Sequence, residues 1–374
     1  MPILIDAHED LAWNMLAFGR DFSRSAYETR ERERGTSIPV WNHGDCLIGW
    51  PEYQRGQVAV VFATLFAAPL RARNGAWDTV VYQDQAQAYD VYSRSLDAYY
   101  RFVEKYPDKF RLVLNKADLA AVQEHWKKPL ETPEDPEAEK PGHPVGLVVS
   151  MEGGEAIRQV GELEEWWGRG LRMIGPAWAG NLYTGGTREP GPLTHAGREL
   201  LEVMGSLGFG LDISHMDPQA ALQAIDAYEG PVFASHSNVA SIVKDPDSNR
   251  HLPDRAIQAL IEKDGVIGLV PFNLFLKPGW SFSLIEGRSR VHLQDLVAHI
   301  DAVCQIAGDA RHAAIGTDFE GGLGWLAVPA EVESIADLQK VAPLLAEKGY
   351  TPEDIEAIFH GNWESILQRI LPEP

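Results

Sequence analysis

Five segments of the chain carry carboxylates or histidines suited to binding divalent metal ions, and each follows a short apolar run. The segments are Asp6-Ala7-His8-Glu9-Asp10, Ser150-Met151-Glu152-Gly153-Gly154, Ser214-His215, Ser235-His236-Ser237 and Gly316-Thr317-Asp318. Alternate residues of a strand point to the same side, so His8 and Asp10 at a strand end would aim at one point. Their chemistry indicates a metal centre assembled from distant parts of the chain.

Each segment taken alone also has an ordinary structural interpretation. His8 with a carboxylate could be a surface ion pair, Glu152-Gly153-Gly154 a turn, and His215 or His236 a hydrogen-bonded core histidine. Taken together, however, three histidines and two carboxylates exceed by one the ligands that a tetrahedral zinc ion needs. The economical solution is two divalent ions about 3.5–4 Å apart that share a bridging carboxylate. Imidazole and carboxylate suit zinc, with manganese, iron or cobalt as alternatives, and Asp318 is a sixth polar group directed at the same place.

Eight apolar runs predict the strands that must position these residues. Their continuous apolar character is typical of strands covered on both faces. The runs are Ile3–Ile5, Val58–Ala63, Val145–Val149, Leu171–Ile174, Phe209–Ile213, Pro231–Ala234, Val266–Val270 and Ala313–Ile315. Helical patterns lie between them, at Gln83–Tyr106, Thr194–Leu207, Pro218–Tyr228, Pro253–Lys263 and Leu293–Ala307. This alternation predicts an α/β fold, a (β/α)8 TIM-type barrel whose strand ends carry the site on one face.

The length of 374 residues suits one barrel domain over residues 1–374 with loop insertions. We expect a C-terminal helical segment, Thr351–Leu371, packed on the outside. Arg20–Gly35 is dense in Arg and Glu and predicts an exposed insertion, whereas the proline-rich Lys127–Pro144 predicts an exposed loop. Asn273–Arg290 mixes aromatic, Gly and polar residues and could cover the site.

Composition excludes several classes of function. A formal charge of −21 disfavours nucleic acid and anionic membranes as partners, because binding either needs excess Lys and Arg. The longest apolar stretch, Val58–Leu70, is too short to span a bilayer, and the N-terminus does not resemble a signal peptide. The two cysteines, Cys46 and Cys304, are too few for a thiolate metal site. We therefore expect a soluble, cytoplasmic protein.

The motifs together resemble one family. His8-Glu9-Asp10, Glu152-Gly153-Gly154, Asp212-Ile213-Ser214-His215, Ser235-His236-Ser237 and Gly316-Thr317-Asp318-Phe319-Glu320-Gly321 are similar to motifs of the membrane (renal-type) dipeptidases. These are zinc peptidases of the amidohydrolase superfamily. The likeness runs in order from Asp6 to about Asn362. Any one motif is weak, but the ordered set is highly specific.

The resemblance implies a metal-dependent dipeptidase with a binuclear zinc site. His8 and Asp10 would hold one ion, His215 and His236 the other, and Glu152 would bridge them. The ions would lower the pKa of a bridging water, and the resulting hydroxide would attack the amide carbonyl of a dipeptide. Asp318 matches the family's proton-transferring aspartate. Arg250, in Arg250-His251-Leu252-Pro253-Asp254, matches the arginine that binds the substrate carboxylate.

Two departures from the family pattern concern the substrate. Trp178 stands where the family has a histidine that contacts the reacting carbonyl, and Glu155 stands where histidine follows Gly-Gly. An indole offers one N–H donor and no acceptor. Trp178 would then wall the pocket, and Asn181 or Tyr183 would supply a donor. The family often tolerates a D-residue at the C-terminal position of the dipeptide, and a homodimer is a reasonable expectation for such a barrel.

The sequence leaves two other functions open. Trp178 favours a hydrolase of another small amide or lactone, such as an N-acyl amino acid, that uses the same metals. A pseudoenzyme that binds metal or small carboxylates would show affinity without turnover. A panel of L,L and L,D dipeptides, N-acyl amino acids and lactones separates the three.

Overall fold

Eight parallel strands form the barrel in the computed structural model, which describes residues 1–128, 142–245, 248–283 and 286–374. They are β1 Leu4–Glu9, β2 Val58–Leu65, β3 Val145–Glu152, β4 Leu171–Gly175, β5 Gly210–Asp212, β6 Val232–Phe233, β7 Ile267–Leu269 and β8 Ala313–Ile315. β1 to β6 pair in chain order, and β7 pairs with β8. Single bridges between Ala234 and Ile267 and between Glu9 and Phe319 join these two groups. The predicted TIM-type barrel is confirmed.

The strands lie where the continuous apolar runs predicted them. Every residue of β2 and β3 is buried, as expected for strands with the barrel interior on one face and helices on the other. β1 and β3 extend further than predicted, to Glu9 and Glu152. The ligand candidates His8 and Glu152 are therefore held by regular strand backbone.

Helices surround the barrel, and the five predicted ones lie within two residues of their expected bounds. The α-helices are Leu11–Ala17, Ala26–Glu33, Ile38–Trp41, Trp50–Gly56, Gln85–Lys105, Lys116–Trp126, Leu163–Gly168, His195–Leu207, Pro218–Ala227, Ala240–Val243, Asp254–Glu262, Asn273–Leu276, Leu293–Ala307, Val341–Glu347, Pro352–Glu356 and Asn362–Ile370. As predicted, Thr194 caps its helix, because its hydroxyl accepts a hydrogen bond from the Gly197 N–H.

The loops contain short strands and short helical segments. Strand pairs form between Ala68–Pro69 and Val81–Tyr82 and between Thr184–Gly186 and Glu189–Leu193, and Phe110–Leu112 pairs with the start of β3. Single helical turns lie at Leu70–Ala72, Gly154–Ala156, Val160–Glu162, Gly287–Arg290, Trp325–Ala327, Ile335–Lys340 and Ala357–Gly361.

Thr351–Leu371 was predicted to pack on the outside of the barrel. Its last helix also sends a side chain into the interior. Trp363 is fully buried against Phe62 and Phe233, with ring centroids 5.3 and 5.8 Å away. Phe62 shares its strand face with Thr64, whose hydroxyl lies 3.2 Å from the ring nitrogen of His8, so Phe62 faces the barrel interior. Trp363 therefore enters the barrel interior below the predicted site.

The predicted insertions differ in their outcome. The expectation of an exposed Arg20–Gly35 is wrong for Arg20 and Glu33, which are buried and ion-paired with each other. Most of Lys127–Pro144 lies outside the described residues. Asn273–Arg290, of which residues 284 and 285 are not described, reaches the site through Phe275, whose ring lies under the guanidinium of Arg250. Among the described residues, no helix combines the length and the apolar character needed to cross a bilayer.

Candidate metal centre

The barrel brings all six sequence-predicted metal and proton-transfer residues together at the carboxyl ends of its strands. His8 Nε2 lies 3.6 Å from Asp10 Oδ2, 3.6 Å from Glu152 Oε2 and 3.9 Å from Asp318 Oδ1. On the other side of the centre, Glu152 Oε1 lies 3.0 Å from His215 Nε2 and 3.3 Å from His236 Nε2. Residues separated by up to 310 positions in sequence thus share one cup.

Glu152 stands between two groups of ligand candidates. Its Oε1 atom faces His215 and His236, while its Oε2 atom faces His8. Within the described chain, two sets of ligand atoms are compact enough to hold an ion: His8 with Glu152 and His236, and His8 with Asp10 and Asp318. His8 belongs to both sets and His215 to neither, so the sets differ from the predicted pairs of His8 with Asp10 and His215 with His236.

The donor set fits divalent metal ions. His8 Nε2, His236 Nε2 and Asp10 Oδ1 are buried and have no hydrogen-bond partner among the described residues. Leaving a buried polar atom unpaired costs about 1–3 kcal/mol, so three of them in one cup call for a common partner. Nitrogen and carboxylate oxygen together match zinc and similar transition metals.

Each histidine ring is oriented by a hydroxyl on its other nitrogen. Thr64 Oγ1 lies 3.2 Å from His8 Nδ1, Thr187 Oγ1 lies 2.9 Å from His215 Nδ1, and Ser235 Oγ lies 2.7 Å from His236 Nδ1. Ser235 in turn donates to the carboxylate of Asp212. A hydroxyl that accepts from Nδ1–H leaves the lone pair on Nε2, which is the tautomer that binds metal.

The electrostatics of the cup also favour a cation. Burial works against a charge on His8, but Glu152 and Asp10 outweigh it and hold the pKa of His8 well above its ordinary value. Burial raises the pKa of Asp318 well above its usual range, with Asp10 and Glu152 adding to the effect. Burial and the charge of Arg250 lower the pKa of His215 to about 4. A divalent cation would stabilise the ionised carboxylates and neutral imidazoles that metal binding needs.

Close backbone packing shapes the loop that carries Asp318. Asp318 and Glu320 adopt φ of 57° and 66°, a left-handed conformation that non-glycine residues seldom adopt. A Cβ atom on Gly321 would lie 2.5 Å from Asp318 Oδ1 and 2.6 Å from Asp10 Oδ2. Gly321 therefore leaves the room that these two carboxylates occupy.

Arg250 lies at the edge of the same cup. Its guanidinium donates to Ser237 Oγ at 3.1 Å and to the carbonyl oxygen of His236 at 2.6 Å, while its Nε has no hydrogen-bond partner in the part of the chain that the structure describes. The side chain is buried and packs over Phe275, 5.3 Å from the ring centroid. Its charge lies close enough to Asp318 and Glu152 for both to affect its pKa, which burial lowers.

Trp178 lies beside the metal ligands, whereas the side chains of Asn181 and Tyr183 bond to the backbone of nearby loops. The Trp178 ring is half-buried, 6.2 Å from the His215 ring and 5.3 Å from that of Phe66. Asn181 instead donates to the Pro176 carbonyl oxygen at 2.8 Å and accepts from the Tyr183 N–H. The Tyr183 hydroxyl donates to the Ile157 carbonyl oxygen. That Asn181 or Tyr183 replaces the missing histidine stays a prediction; the Asn181 amide bonds within the loop after β4, and the Tyr183 hydroxyl bonds to the loop after β3.

Glu155, the second departure, is buried outside the ligand cluster. Its Oε2 atom has no hydrogen-bond partner and would collide with any side chain at Gly153. Burial raises its pKa, which favours the neutral acid. Glu155 therefore packs against the backbone of Gly153, the residue after Glu152.

Sequence reasoning missed the hydroxyls and the glycine. Ser235 directly precedes His236, and Thr64 falls within an apolar run, so either could have been considered. Thr187 lies 28 positions from His215, and only the fold joins them. Gly321 follows the Asp318 motif, but its closeness to two carboxylates depends on the barrel.

The model of the family described as membrane dipeptidase (peptidase family M19) matches residues 1–372. An uncharacterized protein in the pqqA 5′ region of Klebsiella pneumoniae is 29% identical over 238 residues, covering 60% of this chain and 82% of that protein. Dipeptidase tcpJ of Claviceps purpurea is 22% identical over 328 residues, covering 84% of this chain and 67% of that protein.

Solved structures share the fold. A metallo peptidase from Rhodobacter sphaeroides, liganded with a phosphinate mimic of the dipeptide L-Ala-D-Ala, has a TM-score of 0.76 at 21% identity. The match covers 99% of this chain and 100% of that chain. The probable dipeptidase PvdM from Pseudomonas aeruginosa also has a TM-score of 0.76, at 17% identity, covering 99% of this chain and 95% of that chain.

Proposed function

Because the chain belongs to the membrane dipeptidase family, peptidase family M19, we propose that it hydrolyses the amide bond of dipeptides at a two-zinc centre. His8 and Asp10 hold one ion in this proposal, His215 and His236 hold the other, and Glu152 bridges them. Manganese, iron or cobalt could take the same ligands. The observation that carries the proposal is the position of Glu152, with one carboxylate oxygen towards His8 and the other towards His215 and His236.

When bound, the ions would supply a hydroxide nucleophile near neutral pH and polarise the carbonyl of the substrate. Asp318 takes the proton from the nucleophile and delivers it to the departing amine, because its carboxylate lies against both His8 and Asp10.

Arg250 binds the terminal carboxylate of the dipeptide in this proposal. Its guanidinium is fixed by Ser237 and the His236 backbone, so little side-chain freedom is lost on binding. A carboxylate paired there limits the substrate to peptides that end one residue after the scissile bond. The Rhodobacter sphaeroides relative holds a mimic of L-Ala-D-Ala, which favours a D-residue at the C-terminal position here as well.

Trp178 and Phe66 form an apolar wall on the His215 side of the centre. Arg250 packs instead on Phe275, so we assign this wall to the N-terminal residue of the dipeptide. An apolar side chain there gains about 25 cal/mol for each Å² of surface that it buries. We therefore expect dipeptides with a large apolar N-terminal residue to be preferred.

A second candidate function is hydrolysis of N-acyl amino acids or lactones. Trp178 favours it, because an apolar wall in place of a polar histidine accepts an acyl chain as readily as an amino-acid side chain. The same two-ion centre would serve either substrate.

The experiment is a substrate panel with zinc-loaded protein, with and without a chelator. The panel contains L,L and L,D dipeptides, N-acyl amino acids and lactones. Our proposal expects the dipeptides to have the highest kcat/KM, and chelation to abolish their turnover. A preference for acylated substrates would support the second candidate, and zinc binding without turnover of any member would indicate a metal-binding pseudoenzyme.

A further inference from the structure

We propose that Asn14, Arg20 and Glu320 act as positioning residues that hold the proton-transferring Asp318 in place. We call these three residues the Asn14 clasp. The inference rests on the proposed function of Asp318 and extends it to a buried network that does not touch the substrate.

Asn14 ties the loop of Asp318 to the end of β1. Its side-chain amide donates to the carbonyl oxygen of Asp10 at 2.9 Å and to the carbonyl oxygen of Glu320 at 2.7 Å. The first oxygen belongs to Asp10, the ligand candidate directly after β1, and the second lies two residues after Asp318. One fully buried side chain therefore sets the distance between the two segments.

Arg20 and Glu320 complete the clasp in the interior. Arg20 donates to Asn14 Oδ1 at 2.9 Å and forms an ion pair with Glu320. Its other side is held by Glu33, at 2.7 and 2.8 Å. Glu320 also accepts from the Leu47 N–H at 2.6 Å and from Asn42 at 3.1 Å. Asn14 thus has its donors and its acceptor engaged, which fixes the orientation of its amide.

The loop needs such restraint because its backbone conformation is unfavourable. Asp318 and Glu320 both have positive φ, and each such residue costs about 1–3 kcal/mol. Strained residues persist only where their surroundings hold them. Other bonds to β1 hold the start of the loop: Thr317 donates to the Asp6 carboxylate at 2.7 and 2.5 Å, and the Asp318 N–H donates to the His8 carbonyl oxygen at 3.1 Å. After Asp318, the Phe319 carbonyl oxygen accepts a longer bond of 3.4 Å from the Asp10 N–H.

The buried charges of the Asn14 clasp add little to the stability of the fold. Buried ion pairs are often no better for stability than apolar residues of the same volume, because both charges lose their hydration. Glu320 is completely buried and shares Arg20 with a second carboxylate, that of Glu33. A role in placing the neighbouring Asp318 accounts for a buried network at this point in the barrel.

Asn14→Leu tests the inference, with Asn362→Leu as its matched control. Asn362 is also buried, and its amide donates to two carbonyl oxygens, those of Ala310 and Ala313, at the opposite end of β8. We expect Asn14→Leu to lower kcat by about 10–100-fold, as loss of supporting contacts around a site typically does. KM, zinc stoichiometry and zinc affinity should stay unchanged. Asn362→Leu should lower the free energy of unfolding without lowering kcat.

A double-mutant cycle with Asp318→Asn separates positioning from a structural role. If the clasp acts through Asp318, Asn14→Leu should cause little further loss of kcat in the Asp318→Asn protein. An equal loss in both backgrounds, or a fall in zinc affinity that accounts for the loss, would overturn the inference. If Asn14→Leu does not fold, the nearly isosteric Glu320→Gln is put through the same cycle. Absence of dipeptide hydrolysis by the wild type would instead refute the proposed function.

Discussion

The Nε2 atoms of three histidines are the nitrogen atoms with which the centre can bind a metal ion. In His8, His215 and His236 the Nδ1 atom is engaged by a hydroxyl, which leaves Nε2 facing Glu152 or its neighbours. The hydroxyls that orient His8 and His215 come from other strands and loops than the histidines themselves. The orientation of these two rings therefore depends on the tertiary structure. The metal affinity of the centre should therefore depend on residues that never contact the metal.

Thr187→Val tests this dependence at a single atom. The substitution keeps the shape of the side chain and removes the hydroxyl that lies 2.9 Å from His215 Nδ1. We expect zinc affinity, measured by competition with a chromogenic chelator, to fall about 10–100-fold. Thr29→Val is the control, because that hydroxyl bonds only the Ser25 carbonyl oxygen in an outer helix. Equal zinc affinity of the two variants would contradict the assigned role of Thr187.

Asp318→Asn tests the proton transfer. The amide keeps the size of the carboxylate and cannot accept and release the proton. We expect both metal ions to remain and kcat to fall by roughly 10²–10⁴, as for loss of a general acid–base. The measurement is steady-state kinetics on a dipeptide together with metal analysis of the same sample. Near-wild-type turnover would remove Asp318 from the mechanism.

At the scale of elements, the ends of β1, β3, β5, β6 and β8 and the loops that follow carry the centre. β1 and β3 present His8 and Glu152 from regular strand backbone, whereas Asp318 comes from an irregular loop with positive φ. Strand-borne residues are placed by the ladder itself. The residue that must exchange protons is placed by close packing and side-chain bonds instead.

Gly321→Ala tests the close packing of the β8 loop. A methyl group there would lie 2.5 Å from Asp318 Oδ1 and 2.6 Å from Asp10 Oδ2, which is too close for atoms that are not bonded to each other. We expect the variant to lose one of the two metal ions and most activity, while its thermal midpoint stays near that of Gly161→Ala. Gly161 is the control, because a Cβ there meets nothing within 4 Å. Full metal content in Gly321→Ala would show that the loop tolerates the methyl group.

Sequence patterns predicted these elements well because continuous apolar runs and strand-end ligands are local features. The clasp was not predictable in the same way. Arg20 and Glu33 form an ion pair within a charged segment that composition alone assigns to solvent. Glu320, the second carboxylate paired with Arg20, lies 300 positions away. Composition does not reveal which charges will find a buried partner.

At the scale of the molecule, a side chain of the C-terminal helix occupies the barrel interior at the end away from the site. Trp363 contacts Phe62 and Phe233 in the interior, and its indole N–H donates to the Ile315 carbonyl oxygen at 2.9 Å. The apolar periodicity of Thr351–Leu371 predicted a helix, but not which of its side chains would enter the barrel. That depends on how much interior volume the eight strands leave unfilled.

Trp363→Ala should destabilise the fold while leaving the chemistry intact. Removal of a large buried aromatic side chain costs about 3–5 kcal/mol. Chemical denaturation measures this loss, and kcat measured where both proteins are folded should match that of the wild type. A loss of kcat without a loss of stability would instead connect Trp363 to the catalytic centre.

The number of divalent ions bound per chain tests the central claim most directly. Purified protein is stripped with a chelator, reloaded with zinc, freed of excess metal and analysed by inductively coupled plasma mass spectrometry. Two zinc ions per chain are expected, with activity regained as the ions are restored. A plateau at one ion or none, with full activity on dipeptides, would contradict a centre in which Glu152 bridges two metals.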